Sequence, residues 1–90
     1  MQYMVIERFK AGKTDELYAR FHENGRMLPD GLIYINSWLT ADRSTCFQLM
    51  STSDPSLFDE WIEKWSDLTD FEIIELASQP PQAAAEQSAQ

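Results

Sequence analysis

The predicted strands of this chain are apolar on both faces, which restricts the folds that can hold them. Successive side chains of a strand point to opposite faces of the sheet. Segment 3–9 therefore carries large apolar residues on both sides: Tyr3, Val5 and Phe9 on one, and Met4 and Ile6 on the other. A sheet with one face in water would alternate apolar and polar residues instead. The second face of this sheet needs a cover of its own.

Two later segments have the same two-sided pattern. Segment 32–39 is expected to divide its apolar residues between the faces, with Leu32, Tyr34 and Trp38 on one and Ile33, Ile35 and Leu39 on the other. Segment 45–52 divides them likewise, with Phe47 and Leu49 opposed to Cys46 and Met50. The short polar link 41–44 predicts a hairpin between strands over 32–40 and 45–52.

Two segments have the apolar spacing of amphipathic helices. The first is predicted to begin at an N-cap, Thr14, and to end near Gly25, because glycine adopts left-handed conformations without strain. The second is predicted to begin with Asp54 as N-cap and Pro55 as the first helical residue. Its residues at i, i+3 and i+4 spacing form a wide apolar stripe: Leu57, Phe58, Trp61, Ile62, Trp65 and Leu68.

The order of these segments is βαββαβ, with the last strand predicted over residues 71–76. This is the ferredoxin-like α+β order, which gives a four-stranded antiparallel sheet. Right-handed crossovers place both helices on one face of that sheet. The other face, roughly 400 Å² in projection, is then a large apolar patch for a soluble monomer. We therefore expect a two-fold homodimer that forms through this face.

Length and cysteine content support association. Residues 1–77 are expected to form one domain, and residues 78–90, which contain no large apolar residue, a disordered tail. A single subunit of 90 residues is marginal in stability. The only cysteine, Cys46, excludes an intrachain disulfide, and one cysteine with one histidine cannot build a structural zinc site.

The charge of the chain argues against two classes of partner. Fifteen acidic and seven basic residues give a formal net charge of −8, whereas nucleic-acid binding depends on Lys and Arg that neutralise phosphates. Anionic membrane surfaces are disfavoured for the same reason. No signal peptide is visible, and no apolar run approaches the roughly 20 residues of a membrane span. A cytoplasmic protein without nucleic-acid or membrane partners is expected.

Several short runs resemble one known family. They are GRMLPDGL at 25–32 followed by Tyr34, Ser37 and Trp38, then CFQLM at 46–50, Asp54-Pro55, and finally Trp61, Trp65, Asp67 and Leu68. Through them the chain resembles, over roughly residues 3–76, the small bacterial domain-of-unknown-function family DUF3303. The resemblance implies a dimeric α+β barrel in which two ferredoxin-like sheets pack face to face, and no established activity. Similar sequences tend to have Pro-Val where this chain has Glu75-Leu76.

Few residues are candidates for acid–base or nucleophilic chemistry. His22, the only histidine, is a candidate general base, although its position off the apolar stripe also fits an exposed surface residue. Tyr34 is the other candidate for moving a proton. Cys46 lies in mid-strand with no second histidine to activate it, which favours a small buried residue over a nucleophile.

Polar strand residues among aromatic ones are candidates for ligand binding. Asn36 and Gln48 lie in the hairpin with Tyr34 and Trp38. In a face-to-face dimer these four residues could line a cavity between the sheets and bind a small apolar molecule. They could also pair with each other or with the partner subunit and fix the register. A four-residue link places Trp38 opposite Phe47, and one residue more or fewer places it opposite Gln48.

Two further groups fit structural roles better than ligand binding. Trp61 and Trp65 could stack a planar ligand, but their spacing within the apolar stripe favours core packing. An acidic cluster near the last strand could bind a cation, but pairing with Arg8 or Arg26 is more usual; it consists of Asp67, Asp70 and Glu72. The sequence contains no metal-site spacing, phosphate loop or nucleotide fingerprint, so neither a metal nor a cofactor is predicted.

Two classes of function stay open. The first is a non-catalytic module that binds a small molecule or interacts with another protein, favoured because the sequence contains no acid–base or nucleophile constellation. The second is a cofactor-independent enzyme of the monooxygenase or isomerase kind, acting on a small apolar or aromatic substrate. Relatives by fold include such enzymes and also haem proteins, which is analogy only. In an enzyme, His22 or Tyr34 would move the proton while Asn36 or Gln48 held a developing oxyanion.

Overall fold

The computed structural model describes residues 1–77, so the predicted tail at 78–90 lies outside the described residues. The described chain forms four strands and two helices in the order βαββαβ. They are β1 (Gln2–Phe9), α1 (Thr14–Asn24), β2 (Ile33–Leu39), β3 (Thr45–Ser51), α2 (Leu57–Glu63) and β4 (Thr69–Leu76). The predicted ferredoxin-like order is confirmed.

The four strands form one antiparallel sheet in the order β2-β3-β1-β4. Val5 in the central strand β1 lies opposite Gln48 of β3 and Ile73 of β4. Residues that lie opposite each other in antiparallel strands share a face of the sheet. Val5 is fully buried in the core with residues of both helices, so this is the face that the helices cover.

The core lies between this covered face and the two helices. Its buried apolar members are Tyr3, Val5, Leu17, Leu32, Met50, Phe58, Trp61, Trp65 and Leu68. Aromatic rings meet edge to face between the layers, with centroids 5.1 Å apart for Tyr3 and Phe58 and 5.2 Å apart for Trp61 and Phe71. The prediction that Trp61 and Trp65 pack in the core is confirmed.

The opposite side of the sheet carries no helix of the described chain, and we call it the helix-free face. The alternation predicted for β1 and β3 is confirmed by the register. The helix-free face carries a set of large apolar residues: Met4, Ile6, Ile33, Trp38, Phe47, Leu49 and Ile74. Several of them are solvent-exposed in the single chain, Ile33 at 58% and Trp38 at 51%.

Strand β2 contains the main departure from the predicted pattern. Ile35 has no partner of its own, because its neighbours Tyr34 and Asn36 pair with adjacent residues of β3. Such a bulge adds one residue to one strand and moves every later side chain to the other face. The prediction that Tyr34 and Trp38 share a face is therefore wrong. Tyr34 lies on the covered face, and Trp38, opposite Phe47, lies on the helix-free face.

The connection between β2 and β3 fixes this register. Thr40 N–H donates to the Thr45 carbonyl oxygen at 2.9 Å and closes the hairpin. Inside the loop the Asp42 carboxylate accepts hydrogen bonds from the Thr40 hydroxyl at 2.7 Å and from Ser44 N–H at 3.0 Å. These bonds lower the pKa of Asp42 to about 2. Of the two registers that the sequence left open, the one that places Trp38 opposite Phe47 is confirmed.

The structure confirms the predicted C-terminal end of α1 but not its predicted N-cap. Thr14 is the first helical residue, with Lys13 at the N-cap position and no side-chain capping bond, so the predicted cap at Thr14 is wrong by one residue. The helix ends at Gly25 as predicted. The φ of Gly25 is 66°, a left-handed value that suits glycine, and its N–H donates to the Phe21 carbonyl oxygen at 2.8 Å.

Helix α2 is shorter than its apolar stripe. Leu57 N–H bonds to the Asp54 carbonyl oxygen at 3.1 Å, a three-residue spacing typical of a tighter turn. The α-helix therefore begins at Leu57, and the predicted start at Pro55 is wrong. Beyond Glu63 the chain continues in turns to residue 68, and these turns keep Trp65 buried.

Strand β4 begins earlier than the predicted residue 71. Thr69 pairs with Phe9, and its hydroxyl donates to the Arg8 carbonyl oxygen at 3.0 Å. This bond satisfies a buried hydroxyl, because Thr69 is 1% exposed. The predicted start at residue 71 is therefore wrong by two residues, and the strand extends along the whole of β1.

The acidic cluster near β4 pairs with bases. Asp67 accepts two hydrogen bonds from Arg20, both of 2.8 Å, and Glu72 accepts one from Arg8 at 2.9 Å. The predicted base Arg8 is thus one partner, whereas Arg20 takes the place expected for Arg26. Across residues 1–77, no three His, Cys, Asp or Glu side chains lie together in a way that could hold a metal ion.

Candidate functional site

An open cavity lies between the covered face of the sheet and the helices, and we call it the interlayer cleft. Its volume is about 200 Å³. Most of its lining is apolar or aromatic, with a few polar groups among it: Glu7, Phe9, Leu17, Tyr18, Phe21, Arg26, Leu39, Cys46, Gln48, Trp61 and Trp65. A concave, largely apolar site with a few placed polar groups is the usual form of a small-molecule site.

Glu7 is the most unusual residue of the interlayer cleft. It lies in β1 opposite Cys46 of β3 and Phe71 of β4, so the register directs it to the covered face. The residue is only 7% exposed. Burial and the charge of Arg26 are the influences on its titration, and within the described chain no group donates a hydrogen bond to its carboxyl. A largely buried carboxyl without a partner is costly. Its oxygens keep some contact with solvent, because the described chain has no fully buried side-chain oxygen without a hydrogen-bond partner, and Glu7 lines the cleft.

The environment of Glu7 changes its protonation. Burial raises the pKa of Glu7 from the ordinary 4.5 to about 7, because the charged carboxylate loses hydration, while the charge of Arg26 acts in the opposite direction. Burial also raises the pKa of the neighbouring Cys46 thiol to about 11, and the charge of Glu7 adds to this rise. Near neutral pH the thiol is therefore protonated and a poor nucleophile, whereas Glu7 can both hold and release a proton.

The backbone at Arg26 is held by two tryptophans. The indole N–H groups of Trp61 and Trp65 donate to the Arg26 carbonyl oxygen at 2.9 Å and 3.0 Å. The chain turns sharply here, since Gly25 and Met27 both have positive φ values of 66° and 57°. A non-glycine residue in this conformation is uncommon, and the two indole bonds help to hold it.

The side chain of Arg26 is held by aromatic rings and one amide. Its guanidinium carbon lies 3.6 Å from the centroid of the Tyr34 ring and 5.1 Å from that of Phe21. Such cation–π contacts are worth about 0.5–2 kcal/mol. Nε of Arg26 also donates to Gln48 Oε1 at 3.5 Å, a long bond. Arg26 is thus a fixed positive charge at the edge of the interlayer cleft.

Replacement of Glu7 by Gln is expected to change the pH dependence of stability. The folded state holds a proton that the unfolded chain releases between pH 4.5 and about 7. Protonation of Glu7 therefore favours folding fully below about pH 4.5, and this contribution is lost as the pH rises through about 7. The shift corresponds to about 3 kcal/mol.

Relative to the wild type, Glu7→Gln should thus gain up to about 3 kcal/mol of unfolding free energy between about pH 4.5 and about pH 8. Urea denaturation of both proteins at the two pH values measures this difference. Glu72→Gln, which changes an exposed carboxyl on the helix-free face, is the control. If the difference in unfolding free energy between Glu7→Gln and the wild type is the same at both pH values, the carboxyl of Glu7 is hydrated in the folded protein and the prediction is wrong.

The structure separates the residues that the sequence grouped as ligand-binding candidates. Gln48 is 6% exposed and lines the interlayer cleft, and Tyr34 lies on the same face, stacked on Arg26 and bonded to Ser37 Oγ at 2.6 Å. Asn36 and Trp38 lie on the helix-free face. The four residues therefore do not form one site within the chain, because the bulge at β2 divides them.

His22, the candidate general base, lies away from the cleft. It is exposed near the end of α1 and does not belong to the cleft lining, although its neighbour Phe21 does. Helical geometry explains this, since consecutive residues point about 100° apart. His22 is therefore not placed to act on a molecule in the interlayer cleft.

Two residues of the cleft, Glu7 and Arg26, were missed by sequence reasoning. Glu7 could have been found, because it follows Tyr3 and Val5 at alternate positions and precedes Phe9 on the same face. A glutamate within an otherwise apolar strand face is an informative exception. The sequence contains no such signal for Arg26. Its position depends on hydrogen bonds from the indole groups of Trp61 and Trp65, which lie 35 and 39 positions later in the chain.

A four-stranded antiparallel sheet of ferredoxin-like topology, two helices and a small cleft between the layers define this protein as a ferredoxin-like α+β domain. The sequence matches the family described as domain of unknown function DUF3303 over residues 1–85, and the chain belongs to that family. The resemblance noted in the sequence is thereby confirmed. No match was found among curated proteins. In the described part of the chain, neither helix has the length and apolar character needed to cross a bilayer.

Proposed function

We propose that the interlayer cleft binds a small, largely apolar molecule with one polar group. The observation that carries this proposal is the buried carboxyl of Glu7, which lacks a hydrogen-bond partner in the described chain and lines the cleft. A ligand that bonds to Glu7 would offset the cost of burying it. Cavities of about 150 Å³ hold benzene, so about 200 Å³ is enough for a single-ring molecule.

The lining supports a ring-shaped ligand. Trp61, Trp65 and Phe9 provide aromatic walls, and such surfaces favour planar, apolar groups. Gln48 and Arg26 add an amide and a positive charge at one side. A phenol or a small cyclic ketone has matching chemistry, because each combines an apolar ring with one oxygen that can bond to these polar groups.

Binding of para-nitrophenol, a single ring with one weakly acidic hydroxyl, tests this proposal. In a nitrogen–proton correlation spectrum the chain gives three indole N–H signals, from Trp38, Trp61 and Trp65. We expect a saturable titration that moves the Trp61 and Trp65 signals, which come from the cleft lining. The Trp38 signal, from the helix-free face, is the internal control. No saturable shift, or a shift of Trp38 alone, would contradict the proposal.

A cofactor-independent enzyme is the second candidate function, and Glu7 is the observation that favours it. A carboxyl with a pKa of about 7 can exchange a proton with a bound molecule at neutral pH. Glu7 lies in the cleft lining, whereas the sequence-based candidate His22 lies outside it and Tyr34 stacks on Arg26. The choice between a binding module and an enzyme depends on whether Glu7 transfers its proton.

We also propose that the protein forms a homodimer through the helix-free face. Ile33, Trp38 and Ile74 are 58%, 51% and 39% exposed there in the single chain. An apolar patch across a four-stranded sheet is at the upper end of what soluble monomers expose. A second copy is the matching partner, since a two-fold axis pairs the face with itself. A cytoplasmic setting is proposed with it, because the one cysteine, Cys46, is a free thiol and reducing compartments preserve thiols. The bacterial source is proposed from the family resemblance alone.

A further inference from the structure

We infer that Glu7 takes a proton from a weakly acidic C–H or O–H of the molecule bound in the interlayer cleft, so that the site catalyses redox-neutral proton transfer. The substrate class is a small enolisable ring compound with a carbon–carbon double bond next to the acidic C–H, such as a β,γ-unsaturated cyclic ketone or lactone. This inference rests on the proposed function, since a molecule must first bind in the cleft.

No ion pair or hydrogen bond within the described chain holds the Glu7 carboxyl and competes with this role. Its carboxyl belongs to no ion pair and no hydrogen bond in the described chain, unlike the carboxyls of Asp67 and Glu72. It is nine-tenths buried among apolar and aromatic walls, and a carboxylate that is poorly hydrated is a stronger base. Its pKa of about 7 provides both protonation states near neutral pH.

Arg26 and Gln48 are placed to stabilise the charge that proton removal creates. Both line the cleft with Glu7, and the Arg26 backbone is fixed by the indole bonds from Trp61 and Trp65. A donor that is fixed before the reaction stabilises a developing oxyanion without rearrangement. The amide N–H₂ of Gln48 is available for the same purpose, because its bond to Arg26 uses the oxygen.

The chemical step balances without an added oxidant or reductant. The Glu7 carboxylate takes a proton from the carbon next to a carbonyl group, and the C–H electron pair moves to form the enolate, whose oxygen carries the negative charge. In a ring compound with a carbon–carbon double bond between the β and γ carbons, the charge of the enolate extends to the γ carbon. The protonated carboxyl then returns the proton to the γ carbon, the double bond moves between the α and β carbons, and the carbonyl re-forms. The net result is an isomerisation, and Glu7 ends in its starting state.

The neighbouring titratable and charged groups are few. Arg26 from the turn after α1, Cys46 from β3 and Tyr18 from α1 line the cleft with Glu7, and the residues of the lining from the α2 region are Trp61 and Trp65. The Cys46 thiol has a pKa of about 11 and stays protonated near neutral pH. A titration of activity near pH 7 would therefore belong to Glu7.

Elimination of nitrobenzisoxazole tests the inference directly, because this ring compound reports a desolvated carboxylate base. The base removes the C–H proton, the N–O bond breaks, a nitrile forms and a coloured phenoxide is released. We expect saturable catalysis at least about 100-fold above the buffer rate. The rate should rise with a midpoint near pH 7, as Glu7 becomes ionised.

Variants separate catalysis by Glu7 from a structural effect. Glu7→Gln should lose the rate enhancement while circular dichroism shows a folded protein, and Glu7→Asp should restore part of it. Glu72→Gln on the helix-free face should keep the wild-type rate and midpoint. A rate retained in Glu7→Gln, or a pH profile without a midpoint near 7, would overturn the inference.

The para-nitrophenol titration distinguishes the two proposals. Saturable binding in the cleft with no elimination rate in the wild type would overturn the proton-transfer inference and leave the binding function standing. No binding of para-nitrophenol and no saturable elimination would overturn both.

Discussion

Replacement of Trp61 by Ala is expected to lower the free energy of unfolding by about 3–5 kcal/mol. Trp61 is 2% exposed and packs edge to face on Phe71 at 5.2 Å between ring centroids. Its indole N–H also holds the Arg26 carbonyl oxygen at 2.9 Å. The variant therefore loses buried area, aromatic contacts and a hydrogen bond at once. Small domains have only about 5–15 kcal/mol in total, so much of the stability should be lost.

Urea denaturation followed by circular dichroism measures this loss. Trp61→Phe is the matched variant, because it keeps an aromatic ring and removes the indole N–H. It should cost clearly less than Trp61→Ala, since the Arg26 carbonyl oxygen keeps its bond from Trp65. A loss of less than about 1 kcal/mol for Trp61→Ala would contradict the central place of this side chain in the core.

Replacement of Trp38 by Asp is expected to dissociate the proposed homodimer. Trp38 is 51% exposed on the helix-free face and lies opposite Phe47. A carboxylate within an apolar interface would lose hydration without gaining a partner, at a cost of several kcal/mol. Light scattering at micromolar concentration should give twice the monomer mass for the wild type and the monomer mass for the variant.

Leu39→Asp is the matched control for this experiment. Leu39 is the next residue of β2, is 43% exposed and lies opposite Cys46 on the covered face. The same substitution there should leave the mass at that of a dimer. An unchanged mass for Trp38→Asp would refute the place of Trp38 in the interface, and a monomeric wild type would refute the dimer itself.

The fold could be predicted from the sequence because its signals are local and repeated. Alternation along β1 and β3 and the helical stripe of α2 each point to one element, and their order gives the topology. The bulge at Ile35 could not be predicted from the sequence. The residues of β2 are apolar on both faces, so the pattern is compatible with either assignment of the later side chains to the two faces. The start of α2 was missed because Pro55 suits a tight turn as well as a first helical position.

The candidate site was less predictable than the fold. The strand pattern contains the signal for Glu7, because alternation places it on the same face as Tyr3 and Val5. The interlayer cleft depends on how far apart the helices and the sheet lie, which no local pattern encodes. Arg26 is positioned by Tyr34, Trp61 and Trp65, which are distant in the chain. The site predicted between two sheets requires the homodimer and stays a prediction, whereas the interlayer cleft lies between the sheet and the helices of one chain.

The most direct test is a carbon NMR titration of the Glu7 side-chain carboxyl in the wild-type protein, assigned by comparison with Glu7→Gln. A carboxyl that is buried in the interlayer cleft without a partner should titrate with a midpoint of about 7. A midpoint near the ordinary value of 4.5 would mean that water or another group already stabilises the carboxylate. That result would contradict both proposed roles of Glu7, as a group that bonds to a ligand and as a group that accepts a proton.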